Sequence, residues 1–131
     1  MDFKGETLEP HEVKFVERFL DAGQQLEWIE RPTDRKPTND FRWTNNNGVP
    51  TELKSTKARF ETIHGQIVAA ASRAAKQSVT KDHFMIDIGD EPLTDELRER
   101  LAGFNVGRSK YRAAGIWVMA QDQLHQIELE K

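Results

Sequence analysis

Asn39-Asp40-Phe41-Arg42-Trp43-Thr44, the turn Asn45-Asn46-Asn47-Gly48, and then Thr51-Glu52-Leu53-Lys54-Ser55-Thr56 form the stretch from which the fold of this chain is read. Aromatic and β-branched residues on either side of an asparagine-glycine signal predict two strands, 40–44 and 51–56, joined by a tight turn. Side chains alternate faces along a strand, so Glu52 and Lys54 point one way and Leu53 points into a core. Asp40, at the end of the neighbouring strand, then completes a pocket of two carboxylates and one ammonium. Such a set suits a hard divalent cation bound through oxygen ligands, with a water held beside the lysine.

On the N-terminal side, residues 10–22 read as a helix, with Pro10 in its first turn and Gly23 at its C-terminal cap. Its apolar stripe is Val13, Val16 and Leu20, widened by Phe15 and Phe19. A short strand is expected over 26–30, and a loop carrying Pro32 and Pro37 over 31–38. On the C-terminal side, residues 58–77 have helical spacing. Phe60, Ile63, Ile67, Ala71 and Ala74 form the buried face; Arg59, Thr62, Gln66, Arg73, Lys76 and Gln77 form the polar one. A strand over 83–88 follows, then a helix from the N-cap Thr94 through Phe104, a basic loop over 105–112, and a hairpin of 116–119 with 124–129. The expected architecture is therefore an α/β domain with a mixed sheet: helix, three strands, helix, strand, then a further helix and a β-hairpin.

The 131 residues suit one domain with one ordinary core, spanning 1–131. With 37% hydrophobic and 31% charged residues the chain reads as globular, and no apolar run is long enough to span a bilayer. No basic-then-apolar leader opens the sequence. The absence of cysteine excludes disulfides and thiolate metal sites. The net charge of −3 fits poorly with a nucleic-acid partner, but the charge is uneven. Lys54, Lys57, Arg59, Arg73 and Lys76 form one basic group, and Arg98, Arg100, Arg108, Lys110 and Arg112 another. A positive cleft results if both face one site.

The element order and the acidic motif resemble the PD-(D/E)xK nuclease core, in which these motifs lie on the second and third strands and a long helix follows. Asn39 stands where that motif usually has proline; the carboxylate of Asp40 is kept. Four segments carry a second resemblance, to the C-terminal toxin domains of contact-dependent growth inhibition (CdiA-type) and related polymorphic toxin systems. They are Thr38-Asn39-Asp40-Phe41, Thr51-Glu52-Leu53-Lys54-Ser55-Thr56, Ala74-Ala75-Lys76-Gln77-Ser78 and Phe84-Met85-Ile86-Asp87-Ile88. The likeness spans about residues 10–129, loosely outside 39–88. It implies an endonuclease toxin that cleaves RNA, with transfer RNA as the expected substrate. It further implies delivery within a larger effector, action in the cytoplasm of a target bacterium, and neutralisation by a cognate immunity protein.

The resemblance implies Asp40, Glu52 and Lys54 as catalytic residues, with Asp40 and Glu52 holding Mg²⁺ or a similar cation. Arg59, Arg73 and Gln77 on the long helix and Lys110, Tyr111 and Arg112 in the basic loop are candidates for nucleic-acid contact. Trp43 reads as core. Three alternatives stay open. A metal-independent ribonuclease of the barnase, EndoU, colicin and RelE group would need no metal and would draw on residues such as Thr56 and His64 beside Lys54. A DNA endonuclease of restriction or repair type would use the same triad, and an inactive binding module would keep only the fold.

Overall fold

Helix, three strands, helix, strand, helix and two strands follow one another in the computed structural model, which describes residues 8–30 and 38–130. They are α1 (Pro10–Asp21), β1 (Leu26–Trp28), β2 (Phe41–Trp43), β3 (Val49–Ser55), α2 (Phe60–Lys76), β4 (His83–Gly89), α3 (Asp95–Ala102), β5 (Gly115–Ala120) and β6 (Gln123–Ile127). The expected α/β architecture is present. The loop expected over 31–38 lies outside the described residues, apart from Thr38. No described helix is long and apolar enough to cross a membrane.

The strands form one mixed sheet in chain order, β1 to β6. β1, β2 and β3 are antiparallel, β4 and β5 run parallel to β3, and β6 returns antiparallel. The last connection is a two-residue turn at Gln121 and Asp122, both at positive φ (51° and 62°), which matches the twist of a hairpin. The β2–β3 turn likewise places Asn47 at φ 57° and Gly48 at φ 66°.

Each face of the sheet has its own core. On one, Phe15, Val16 and Phe19 of α1 pack on Trp28, Phe41, Trp43, Leu53, Met85 and Met119. Phe19 meets the rings of Phe15, Phe41 and Trp43 at centroid distances of 5.1, 5.6 and 5.1 Å. The other face carries α2 and α3, with Ile63, Ile67, Phe84, Ile86, Leu101 and Ile116 buried between the layers. α1 ends as expected at Gly23, with Gln24 N–H donating to the Phe19 carbonyl and Gly23 N–H to that of Leu20.

Several boundaries and one stripe differ from the sequence reading. Val13 and Leu20 are each 40% exposed, so α1 is buried along Phe15, Val16 and Phe19. β1 stops at Trp28, two residues short of the expected end. β3 starts at Val49, with Pro50 exposed opposite Arg42. α2 starts at Phe60 because the preceding residues bond elsewhere: Ala58 N–H donates to Glu91 Oε2 and Arg59 N–H to the Lys57 carbonyl. Thr94 caps α3 as expected, its Oγ1 accepting from Leu97 N–H at 3.1 Å, but regular helix ends at Ala102.

Gly115 is fixed by a close approach. A Cβ there would lie 2.4 Å from the Trp117 ring, which stacks on His83. Gly115→Ala is expected to lower stability by about 1–3 kcal/mol through overpacking, read as a lower urea midpoint with altered tryptophan fluorescence.

Candidate active site

β3 changes partners halfway along its length. Val49 to Thr51 pair with β2, whereas Glu52 to Ser55 pair with β4. Past Thr51 no strand among the described residues pairs with the β2 side of β3, and a side chain takes its place. Asp40 Oδ2 accepts the Leu53 N–H at 2.8 Å, and the Asp40 N–H donates to the Thr51 carbonyl at 3.0 Å. The carboxylate thus sits where β2 and β3 diverge.

Glu52 is buried at 5% exposure, in register with Phe84. Its two oxygens face two ammonium groups: Oε2 lies 3.4 Å from Lys54 Nζ, and Oε1 3.1 Å from Lys81 Nζ. Asp40 completes the cluster as a second carboxylate close enough to Glu52 for the two charges to repel. Burial first, and the neighbouring Glu52 carboxylate second, push the Asp40 carboxyl up to about 7, against the pull of the Leu53 N–H and Lys81. Near neutrality, therefore, Asp40 gains or loses a proton easily.

Beside this cluster a cavity of about 380 Å³ opens between α1, the free edge of β3, and α2. Lys54 and Ser55 line it with His11, and α2 contributes Gln66, Ala69, Ala70 and Arg73. Those four helix positions are spaced i, i+3, i+4 and i+7, so one face of the helix carries them all. Small alanines at 69 and 70 leave the room, and Gln66 and Arg73 supply polar groups. Gln66 Oε1 is buried with no hydrogen-bond partner, as is Asn39 Oδ1, whose amide nitrogen donates to the Thr80 carbonyl at 3.2 Å.

The two carboxylates of Asp40 and Glu52 are hard donors, and the chain has no cysteine to supply a thiolate. No group of three or more histidine or acidic residues able to hold a metal occurs among the described residues. This donor set fits an ion such as Mg²⁺, which takes one or two carboxylates and keeps several waters, and does not resemble a closed protein cage.

The structure brings together Asp40, Glu52, Lys54 and Arg73 from the sequence-predicted set, and separates the rest. Thr56 lies over the C-terminal end of β3, in a neighbouring cavity with His11, Lys14, Arg18 and Asp87. Arg59 lines a different cavity with Phe60, Glu61, Thr94 and Arg100. Gln77 caps the C-terminus of α2 and is exposed. His64 faces away from Lys54, against the Phe60 and Phe104 rings. There its Nε2 meets Arg108, and burial followed by that guanidinium lowers its pKa, so it is neutral at pH 7. Arg112 donates to the carbonyls of Asn105 and Arg108 at 3.0 and 2.7 Å and so shapes its own loop. Lys110 is exposed and Tyr111, at φ 56°, is half-buried; both line a shallow cavity formed by that loop. Trp43 is core at 3% exposure. The two basic groups therefore divide among several cavities.

Sequence reasoning missed Lys81 and His11. Neither has a motif spacing to Glu52; the parallel pairing of β3 with β4 places Lys81, and the packing of α1 places His11. Comparison with protein-family models, with curated proteins and with solved structures gives no match to this chain.

Proposed function

We propose that this chain is an endonuclease domain that cleaves RNA by metal-assisted phosphodiester hydrolysis, with Asp40, Glu52 and Lys54 as its catalytic residues. The observation that carries the reading is the convergence of these three side chains where β2 parts from β3, beside a cavity lined by Lys54 and Arg73. A divalent cation held by Asp40 and Glu52 would polarise the phosphate and lower the pKa of a bound water. The Lys54 ammonium faces the same cavity and would stabilise charge developing on the phosphoryl oxygens. Arg73 holds an adjacent phosphate with its forked donors, as a guanidinium does well. The resemblance of residues 39–88 to contact-dependent toxin domains supports transfer RNA as the substrate and an immunity protein as the partner. It also supports delivery by a larger effector into a target-cell cytoplasm.

The pairing of Glu52 with two lysines supports a second reading, a metal-independent ribonuclease. There Glu52 would take the proton of an RNA 2′-hydroxyl, and both ammonium groups would stabilise the phosphorane.

Incubation of the purified protein with total RNA, in Mg²⁺ and in excess EDTA, separates the readings. Cleavage only in Mg²⁺, lost in Glu52→Gln, is the expected result. Cleavage that persists in EDTA and spares DNA would install the second reading instead. No RNA cleavage in either condition would sink both.

A further inference from the structure

Glu52 stands between two cations. It is buried, and each of its oxygens faces an ammonium group, Lys54 at Oε2 and Lys81 at Oε1. Burying a carboxylate is costly unless a cation accompanies it. Where a divalent ion is the working partner, something must balance Glu52 in that ion's absence.

The two lysines are placed differently for that task. Lys54 stands within β3, its side chain is 27% exposed, and it lines the cavity with Gln66 and Arg73. Lys81 stands in the connection between α2 and β4, a segment that Ser78 enters at φ 60° and that the Asn39 amide holds at Thr80. Its side chain is only 11% exposed, and it does not line the cavity. An ammonium 3.1 Å from a carboxylate oxygen occupies the approach by which a cation would reach that same oxygen.

We propose that Lys81 is a tethered counter-cation that competes with the divalent ion for Glu52 Oε1 and so sets the metal affinity of the site. This deepens the metal-dependent reading above and rests on it. Lys81 is a positioning residue here: it acts through Glu52, holding the carboxylate in place while no metal is bound and yielding the oxygen when one arrives.

Calorimetric titration of the intact chain with Mn²⁺ tests this directly, using wild type, Lys81→Met, Lys81→Arg and Glu52→Gln, each checked for folding by circular dichroism. Lys81→Met is expected to tighten Mn²⁺ binding at least tenfold, while Lys81→Arg, which keeps the charge, stays within about twofold of wild type. Glu52→Gln is expected to abolish binding. Lys81→Gln serves as the second neutral variant should methionine disturb folding. Unchanged or weaker binding in the neutral variants, with Glu52→Gln still defective, would overturn the role of Lys81 and leave the metal reading standing. Binding undiminished in Glu52→Gln, or undetectable in every protein, would overturn both.

Discussion

Lys54→Met is expected to lower the rate of RNA cleavage by about 10²–10³-fold, the loss typical when one preorganised stabiliser of transition-state charge is removed. The fall should appear mainly in kcat, because the ammonium is asked to meet charge that develops during reaction, more than to bind the ground state. Stability should change little. The pair with Glu52 is 3.4 Å long, Lys54 is partly exposed, and Lys81 still balances the carboxylate in the variant. Lys54→Arg is expected to recover only part of the rate, since a planar fork replaces a compact point charge. Single-turnover cleavage of a transfer RNA, with melting curves alongside, checks the prediction. A variant with wild-type kcat would remove Lys54 from the chemistry, whereas no cleavage by either protein would favour a binding module that keeps the fold alone.

The second large effect is in stability against pH. Asp40 titrates near 7 in the fold and near 3.8 as an unperturbed side chain, so between those values the folded chain holds a proton that the unfolded chain has lost. Stability therefore falls as pH rises from about 4 to about 7, and this group adds no further slope beyond that range. Three pH units at about 1.4 kcal/mol each set a ceiling of about 4 kcal/mol, and about 2–4 kcal/mol is the expected loss in metal-free protein. Urea unfolding followed by tryptophan fluorescence at pH 5 and pH 8, in EDTA, spans about two of those units, so about 2–3 kcal/mol of the loss is read there. Asp40→Asn should flatten most of the slope. Asp87, whose pKa is also raised by burial against the opposing pull of the Gly89 N–H and Arg18, adds to the slope, while His64 and His125, whose pKa values burial lowers, oppose it. Millimolar Mg²⁺ at pH 8 should restore stability to the wild type and not to Asp40→Asn. An equal slope in both proteins would mean that Asp40 is ionised throughout.

The other cation-rich surface has a different character. Arg100 lies over the Phe60 ring and pairs with Glu61, and Arg108 lies over the Phe104 ring beside His64. These guanidinium groups pack the outer face of α2 and α3, which explains how a basic run at 98–112 coexists with a site that draws on few of its charges.

Sequence by itself determined the element order, because each element has a local cause. The asparagine-glycine turn, the period of α2, the Thr94 cap and the Gly23 stop act within a few residues, and all four stand in the structure. It also determined that Glu52 and Lys54 share a face, since strand alternation is a property of the backbone alone. The apolar stripe of α1 was legible only in part. Phe15, Val16 and Phe19 are buried because the aromatic residues of β1 and β2 wait beneath them, while Val13 and Leu20, though also apolar, stay 40% exposed. What only the tertiary structure decided is the cluster around Glu52. The parallel register of β3 on β4 brings Lys81 to Oε1, and the switch of pairing at Thr51 frees the Leu53 N–H for Asp40. Burial then makes Asp40 titrate near neutrality. No spacing in a sequence encodes those contacts, because they depend on which strands lie side by side and how far water is excluded from between them.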